Sequence, residues 1–240
     1  TALVPDFAKN WIDPDLPSKV RLQAKKKQMS YRSIGEFMAE RYHCDEAYLL
    51  SLNGAKKINN LKPRDSIIVP NIKPFCIEKL TGIRYPEDPA LSQRPDLGNT
   101  KSRPPRPACS APDPASSRAP LPSASRMRPS RSSVSQPKFI RLGTWELRNM
   151  VELPHWRYDQ SLLDTGKRGS DADALNIPPG PNNPVGVIWN GLSRPGNGMH
   201  GTPNPETIGR ARSHGCIRLA NWDAVRLPNL IRPGATVEIR

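Results

Sequence analysis

The sequence predicts an α+β chain, mainly β, made of two organised units joined by a stretch that cannot bury a core. Three observations predict it. Apolar residues between 33 and 53 recur at helical spacing and lead into a short β-branched run. Residues 103–137 hold almost no large apolar side chains. Residues 138–240 alternate strand-like runs with loops rich in Gly, Pro and Asn.

The bulk composition agrees. Hydrophobic residues are 36% and aromatics 6% of 240 residues, low for one compact core, and the 28 prolines cluster. The formal net charge of +14 fits a Lys/Arg-rich solvated surface or attraction to a polyanion: nucleic acid, an anionic membrane surface or an anionic cell wall. No zinc-finger spacing and no aromatic–basic run is visible, so no specific nucleic-acid partner is expected. The four cysteines, Cys44, Cys76, Cys109 and Cys216, are never in C-x-x-C spacing, so a zinc site is not expected. No apolar run reaches bilayer-spanning length, and no signal peptide is visible ahead of Thr1.

In chain order, residues 1–32 are polar and mixed, with VRLQAKKKQM opening either a helix or a strand. In residues 33–72, Ile34, Phe37, Met38 and Tyr42 step by three and four. Ser33 and Glu36 form a capping-box pattern. Asp45 caps a second helix carrying Tyr48, Leu49 and Leu52, which Asn53-Gly54 ends. A turn at Lys62–Asp65 then leads to a strand at Ile67–Val69, closed by Pro70. The residues SIGEFMAERY, AYLLSLN and INNLKPRDSIIVP in this helix–helix–turn–strand order resemble a LysM module, a family of small peptidoglycan- and chitin-binding domains. The first strand usual in that family is not obvious upstream. A small helical adaptor without sugar affinity is the plainer alternative.

Residues 73–102 read as a connector with a strand near Phe75–Ile77. The tract 103–137 contains nine Pro, nine Ser, six Arg and five Ala, and a net charge of +5. Burial cannot offset the entropy of ordering it. Its two readings are a basic interdomain linker and an out-of-frame stretch of a GC-rich gene, the second slightly favoured. Beyond it, strands are expected at Lys138–Leu142, Thr144–Arg148, Val185–Asn190 and Thr236–Ile239, with one short helix over residues 221–231.

The chemistry-bearing stretch is MHGTPNPETIGRARSHGCIRLANWDA, residues 199–224. A thiol attacks a carbonyl as the thiolate, which a neighbouring imidazole or positive field favours. His200 lies sixteen residues before Cys216 and meets it only if the loop folds back. Gly215 permits close backbone approach, and the N–H groups around His214-Gly215-Cys216 can form an oxyanion hole. On residue types alone two readings stay open: a small buried thiol with structural histidines, or a cysteine nucleophile.

His200-Gly201-Thr202 and Ser213-His214-Gly215-Cys216-Ile217-Arg218 resemble the active-site signature of the L,D-transpeptidases, and the likeness runs back to GTWEL near Gly143. It implies a β-sandwich with the cysteine on a loop at its edge. By resemblance Cys216 is the nucleophile and His200 its general base. His214, Gly201, Thr202 and Gly215 shape the site, Arg218 organises the loop or binds a substrate carboxylate, and Ser213 hydrogen-bonds within it. Asn221 and Trp222 read as packing. The implied substrates are peptidoglycan tetrapeptide stems, joined between third-position residues through a thioester, with no metal or organic cofactor and in an extracytoplasmic setting. A non-catalytic peptidoglycan-binding protein is the alternative. The family's strands before GTW have no counterpart in residues 103–137, so the sandwich is expected to lack its first strands and the chain to be weakly active or inactive.

Overall fold

The computed structural model describes residues 1–85, 143–165, 169–170, 173–194, 196–208 and 216–239. The tract 103–137 and the strand expected at Lys138–Leu142 lie outside the described residues.

The chain begins with β1 (Ala2–Leu3), a 3-10 helix at Asp6–Trp11 and α1 (Val20–Gln23). Next come α2 (Ile34–Arg41), α3 (Glu46–Asn53), α4 (Ala55–Ile58) and β2 (Ser66–Ile67). Both longer helices start where their caps predict. The Ser33 hydroxyl accepts the Glu36 N–H at 2.9 Å, and the Asp45 carboxylate accepts the Tyr48 N–H at 2.6 Å. Gly54, at φ +81°, ends α3 in a backbone region that L side chains avoid.

β1 pairs antiparallel with β2, Ala2 opposite Ile67. A strand therefore does precede the two helices, some thirty residues upstream of the recognisable pattern and too short to show a period. Residues 1–32 are also more organised than their polarity suggests. Val4, Ala8, Met29 and Tyr31 are all buried. The expected strand near Phe75–Ile77 is instead a 3-10 helix at Ile77–Lys79, whose Ile77 packs into the core together with Phe75.

The connector then contributes β3 (Arg84–Tyr85), followed after residue 142 by β4 (Gly143–Glu152). The remaining elements are β5 (Trp156–Tyr158), α5 (Gln160–Thr165), β6 (Leu175–Ile177), β7 (Ile188–Leu192), β8 (Gly198–His200), β9 (Ile217–Arg218), α6 (Asn221–Ala224), α7 (Leu227–Leu230) and β10 (Thr236–Ile239). Among the described residues one six-stranded sheet runs β10-β4-β7-β8-β9, with β3 also on β4. β5 and β6 form a separate pair. The architecture is thus mixed α/β around one multi-stranded sheet, where two facing sheets were expected. Val185–Val187 turn rather than extend, because Gly186 adopts φ +63°. The single helix expected over residues 221–231 is broken into α6 and α7. Pro228 falls in the first turn of α7, where a missing N–H costs nothing.

The N-terminal helices do not stand apart from this sheet. One core cluster joins Phe37, Met38, Leu49 and Ile67 to Val187, Ile188 and Ala224. Fully burying one such Ile or Leu is worth about 1.5–3 kcal/mol. Polar contacts reinforce the join. The Met29 N–H donates to Pro179 O at 2.8 Å, and Asn182 Nδ2 donates to Ser30 O at 2.8 Å and to Glu36 Oε1 at 2.9 Å. The His43 and Trp222 rings stack 5.3 Å apart. A second cluster, Leu147, Met150 and Leu192, holds β4 to β7.

Candidate active site

β8 and β9 pair in parallel, with Met199 opposite Ile217 and His200 opposite Arg218. Parallel pairing is the element that solves the sixteen-residue separation: the chain leaves β8, loops away and returns in the same direction beside it. Cys216 immediately precedes β9, next to Gly198, which makes a backbone hydrogen bond to its sulfur. Gly198 and His200 are two residues apart on one strand and so face the same side of the sheet. Strand spacing and rise place the Cα atoms of Cys216 and His200 about 8 Å apart on that diagonal.

On the other side of β8, Trp189 of β7 is the register partner of His200, and their rings stack at 5.7 Å with 21° between planes. The Trp189 ring requires Gly198: a Cβ there would fall 2.8 Å from it and 2.7 Å from Asn190 O. The bare strand thus leaves room for the indole on one neighbour and the thiol on the other.

His200 is buried, and its Nδ1 lies 2.5 Å from Gly201 O. A carbonyl only accepts, so Nδ1 carries the proton. Burial drives the His200 pKa down to about 4. The Gly201 carbonyl opposes that shift, and the positive charge of Arg218 adds to it. At neutral pH the ring is therefore uncharged, with Nε2 as a bare lone pair. Cys216 is partly buried, and its Sγ lies 3.6 Å from Gly196 O. Burial raises its pKa, against the hydrogen bond from Gly198 and the charge of Arg218. At neutral pH both the thiol and the imidazole are therefore uncharged.

Arg218 reaches Thr207 Oγ1 at 3.5 Å and places positive charge near both ring and sulfur. Thr202 is buried, its hydroxyl accepting the Asn204 N–H at 3.2 Å. Gly201 donates its N–H to Ile188 O at 3.0 Å, fixing the strand end that carries the carbonyl. Of the residues singled out from the sequence, Cys216, His200, Gly201, Thr202 and Arg218 are thus brought to one sheet edge. Ser213, His214 and Gly215, and the oxyanion hole expected from them, lie outside the described residues. Trp189 and Gly198 were not singled out; the only signal for them was the stretch VIW and the Gly-rich run before His200. Cys44 is a free thiol, so it does not pair with Cys76. No group of three or more His, Cys, Asp or Glu able to hold a metal is found among the described residues.

A partly buried thiol at the start of edge strand β9 and a buried, single-tautomer imidazole on the neighbouring β8 are residue types suited to acyl transfer through a cysteine. Residues 125–239 match the YkuD family model, described as the L,D-transpeptidase catalytic domain. The proteins named "Putative L,D-transpeptidase YkuD" in Bacillus licheniformis and Bacillus subtilis (strain 168) are 43% and 42% identical to this chain, each over 65 residues and 27% of its length. Those matches span 39% and 40% of the relatives' own lengths, so the chain covers about two fifths of each. Among solved structures, L,D-transpeptidase 3 from Mycobacterium tuberculosis aligns at 19% identity and a TM-score of 0.32, covering 45% of this chain and 42% of that one. An L,D-transpeptidase from Mycobacterium smegmatis aligns at 22% identity and a TM-score of 0.31, covering 45% and 46%.

Proposed function

We propose that the chain is a peptidoglycan L,D-transpeptidase that works through a thioester on Cys216. The observation that supports this reading is the parallel β8–β9 pairing, with Cys216 at the start of β9 and on β8 a His200 whose Nδ1 is committed to Gly201 O. Nε2 takes the thiol proton as sulfur attacks the carbonyl of the third residue of a tetrapeptide stem. The tetrahedral intermediate collapses, the C–N bond breaks, and the imidazolium returns its proton to the departing D-alanine amine. An amine of a second stem then attacks the thioester, loses a proton to His200, and the sulfur leaves with it. Water in place of that amine gives carboxypeptidase activity. Because the resting pair is neutral, proton transfer accompanies attack rather than preceding it.

Arg218, fixed opposite His200, provides the positive charge for a stem carboxylate. The substrate places the working site outside the cytoplasmic membrane. The N-terminal unit, in which paired β1 and β2 bracket α1 to α4, is proposed to bind wall glycan in the manner of a LysM module, supported by the antiparallel Ala2–Ile67 pairing. The weak activity expected from absent leading strands concerns residues 86–142, outside the described ones, and stays part of the proposal.

The test is D-alanine release and third-position cross-linking by purified chain on tetrapeptide stems, compared with Cys216→Ala. Loss of release with retained binding to sacculi supports the enzyme reading. Equal release by both proteins refutes it, and sacculus binding without release by either protein favours the non-catalytic alternative.

A further inference from the structure

We propose that Glu40, on α2 of the N-terminal unit, is a positioning residue for His200 and acts on it through Asn221 and Gly201. The inference rests on the reading of His200 as the base of the site.

Asn221 opens α6 and is completely buried. All of its amide bonding is accounted for. Nδ2 donates to Glu40 Oε1 at 2.8 Å and to Pro181 O at 3.2 Å, and Oδ1 accepts the Val187 N–H at 3.1 Å. These partners also fix which end is which, since a peptide N–H needs the oxygen and two acceptors need the nitrogen. Glu40 is buried in turn, and its other oxygen accepts the Tyr31 hydroxyl.

What Asn221 does with that fixed orientation is press on Gly201. A Cβ on Gly201 would sit 2.1 Å from Asn221 Oδ1, and a Cβ on Gly186 would sit 2.1 Å from the same oxygen. Gly186 meanwhile backs on to Gly201 so closely that its Cβ would lie 2.5 Å from the Gly201 carbonyl carbon. The Gly201 peptide is therefore gripped between the Asn221 amide and the Gly186 backbone. That peptide carries the carbonyl that holds Nδ1–H of His200. Tyr31, Glu40, Asn221, Gly201 and His200 form one continuous chain of contacts, and its first two members come from the N-terminal unit.

The groups facing Glu40 are Tyr31 and Asn221, with Glu36 on its own helix and Arg41 beside Tyr31. Nothing in this set donates to Glu40 Oε1 besides Asn221 among the contacts described, so removing the carboxyl frees one Asn221 N–H in a dry interior and releases the amide to tilt. A displacement of about 1 Å at a catalytic group costs on the order of 10²-fold in rate. A glutamine at position 40 keeps the contact: its oxygen accepts from Asn221 and its amide donates to the Tyr31 hydroxyl. The hydrogen bond, and not the charge, is the device.

The experiment is two-bond 1H–15N NMR of the histidine rings in full-length chain labelled at histidine, read for wild type, Glu40→Ala, Glu40→Asp and Glu40→Gln. Wild type and Glu40→Gln should show His200 as one tautomer, protonated at Nδ1. Glu40→Ala should show it averaged between tautomers, with Cys216 acylation slowed by about 10- to 100-fold at a KM within threefold. Should Glu40→Ala fail to fold, Glu40→Asp, which withdraws the carboxyl by one methylene, gives the same displacement in milder form. An unaltered His200 spectrum in a folded Ala or Asp variant overturns the proposal, and so does a Gln variant as disturbed as the Asp one. The ring spectrum requires no substrate. A chain without transpeptidase activity but with a Glu40-dependent tautomer sinks the functional reading and leaves the positioning intact.

Discussion

Titrating the reactivity of Cys216 between pH 5 and 8 separates two states of the site. If sulfur and ring rested as a thiolate–imidazolium pair, alkylation would be nearly independent of pH over this range. The structure argues otherwise. His200 is held down to about 4, chiefly by burial, while Cys216 is raised above its ordinary 9.0. Both shifts, driven chiefly by burial, run against the order an ion pair needs. The thiolate is then a minor form throughout pH 5 to 8. The rate of Cys216 alkylation by iodoacetamide, followed by mass at the Cys216 peptide, should rise about tenfold per pH unit, near 10³-fold overall. Cys44, half-buried and pushed up to about 11, serves as an internal slow reference. A plateau between pH 5 and 8 at Cys216 would refute a neutral resting pair, and with it the claim that proton transfer accompanies attack.

Three further outcomes follow from the packing. Gly201→Ala forces a methyl to within 2.1 Å of the Asn221 oxygen, and should lower stability by about 1–3 kcal/mol in urea melts and reduce Cys216 acylation at least tenfold. Ile188→Ala empties a fully buried position in the core shared by both units. It should cost about 2–5 kcal/mol, with Trp fluorescence and far-UV circular dichroism melting together; separate transitions would show two independent units. Burial raises the Glu40 carboxyl from 4.5 to about 7, so the folded state holds a proton that the unfolded state gives up. Its stabilising effect is complete below pH 4.5 and is lost as pH rises through 7, a difference of about 3 kcal/mol. Glu40→Gln cannot ionise, so its urea midpoint should gain on wild type as pH rises from 4.5 to 8; parallel midpoints would show that Glu40 does not carry this proton.

The parts legible in the sequence were those written in adjacent residues. Ser33 and Asp45 announce their helices because a cap bonds three residues on, and Thr236–Ile239 alternates as an edge strand does. Cys216 and His200 stood out as a thiol and an imidazole in a Gly-rich loop, with two readings open, and Arg218 only through the family resemblance. β1, β2 and β3 have two residues each, too few to display a period, and they exist through pairing with strands far along the chain. Nothing in the helical pattern of residues 34–42 singles out Glu40. It is buried because Tyr31 and an asparagine 181 residues away both donate to it, a circumstance no local pattern encodes. The sequence likewise treated the helices as a separate module, since Val187 and Ala224 give no sign that their partners are Phe37 and Leu49.

The most direct test of the account is the intact mass of the chain quenched during reaction with a tetrapeptide stem. The account predicts a covalent adduct on Cys216 equal to the donor stem less its terminal D-alanine, absent in Cys216→Ala. D-alanine release with no adduct on that sulfur, or an adduct on another residue, would contradict it.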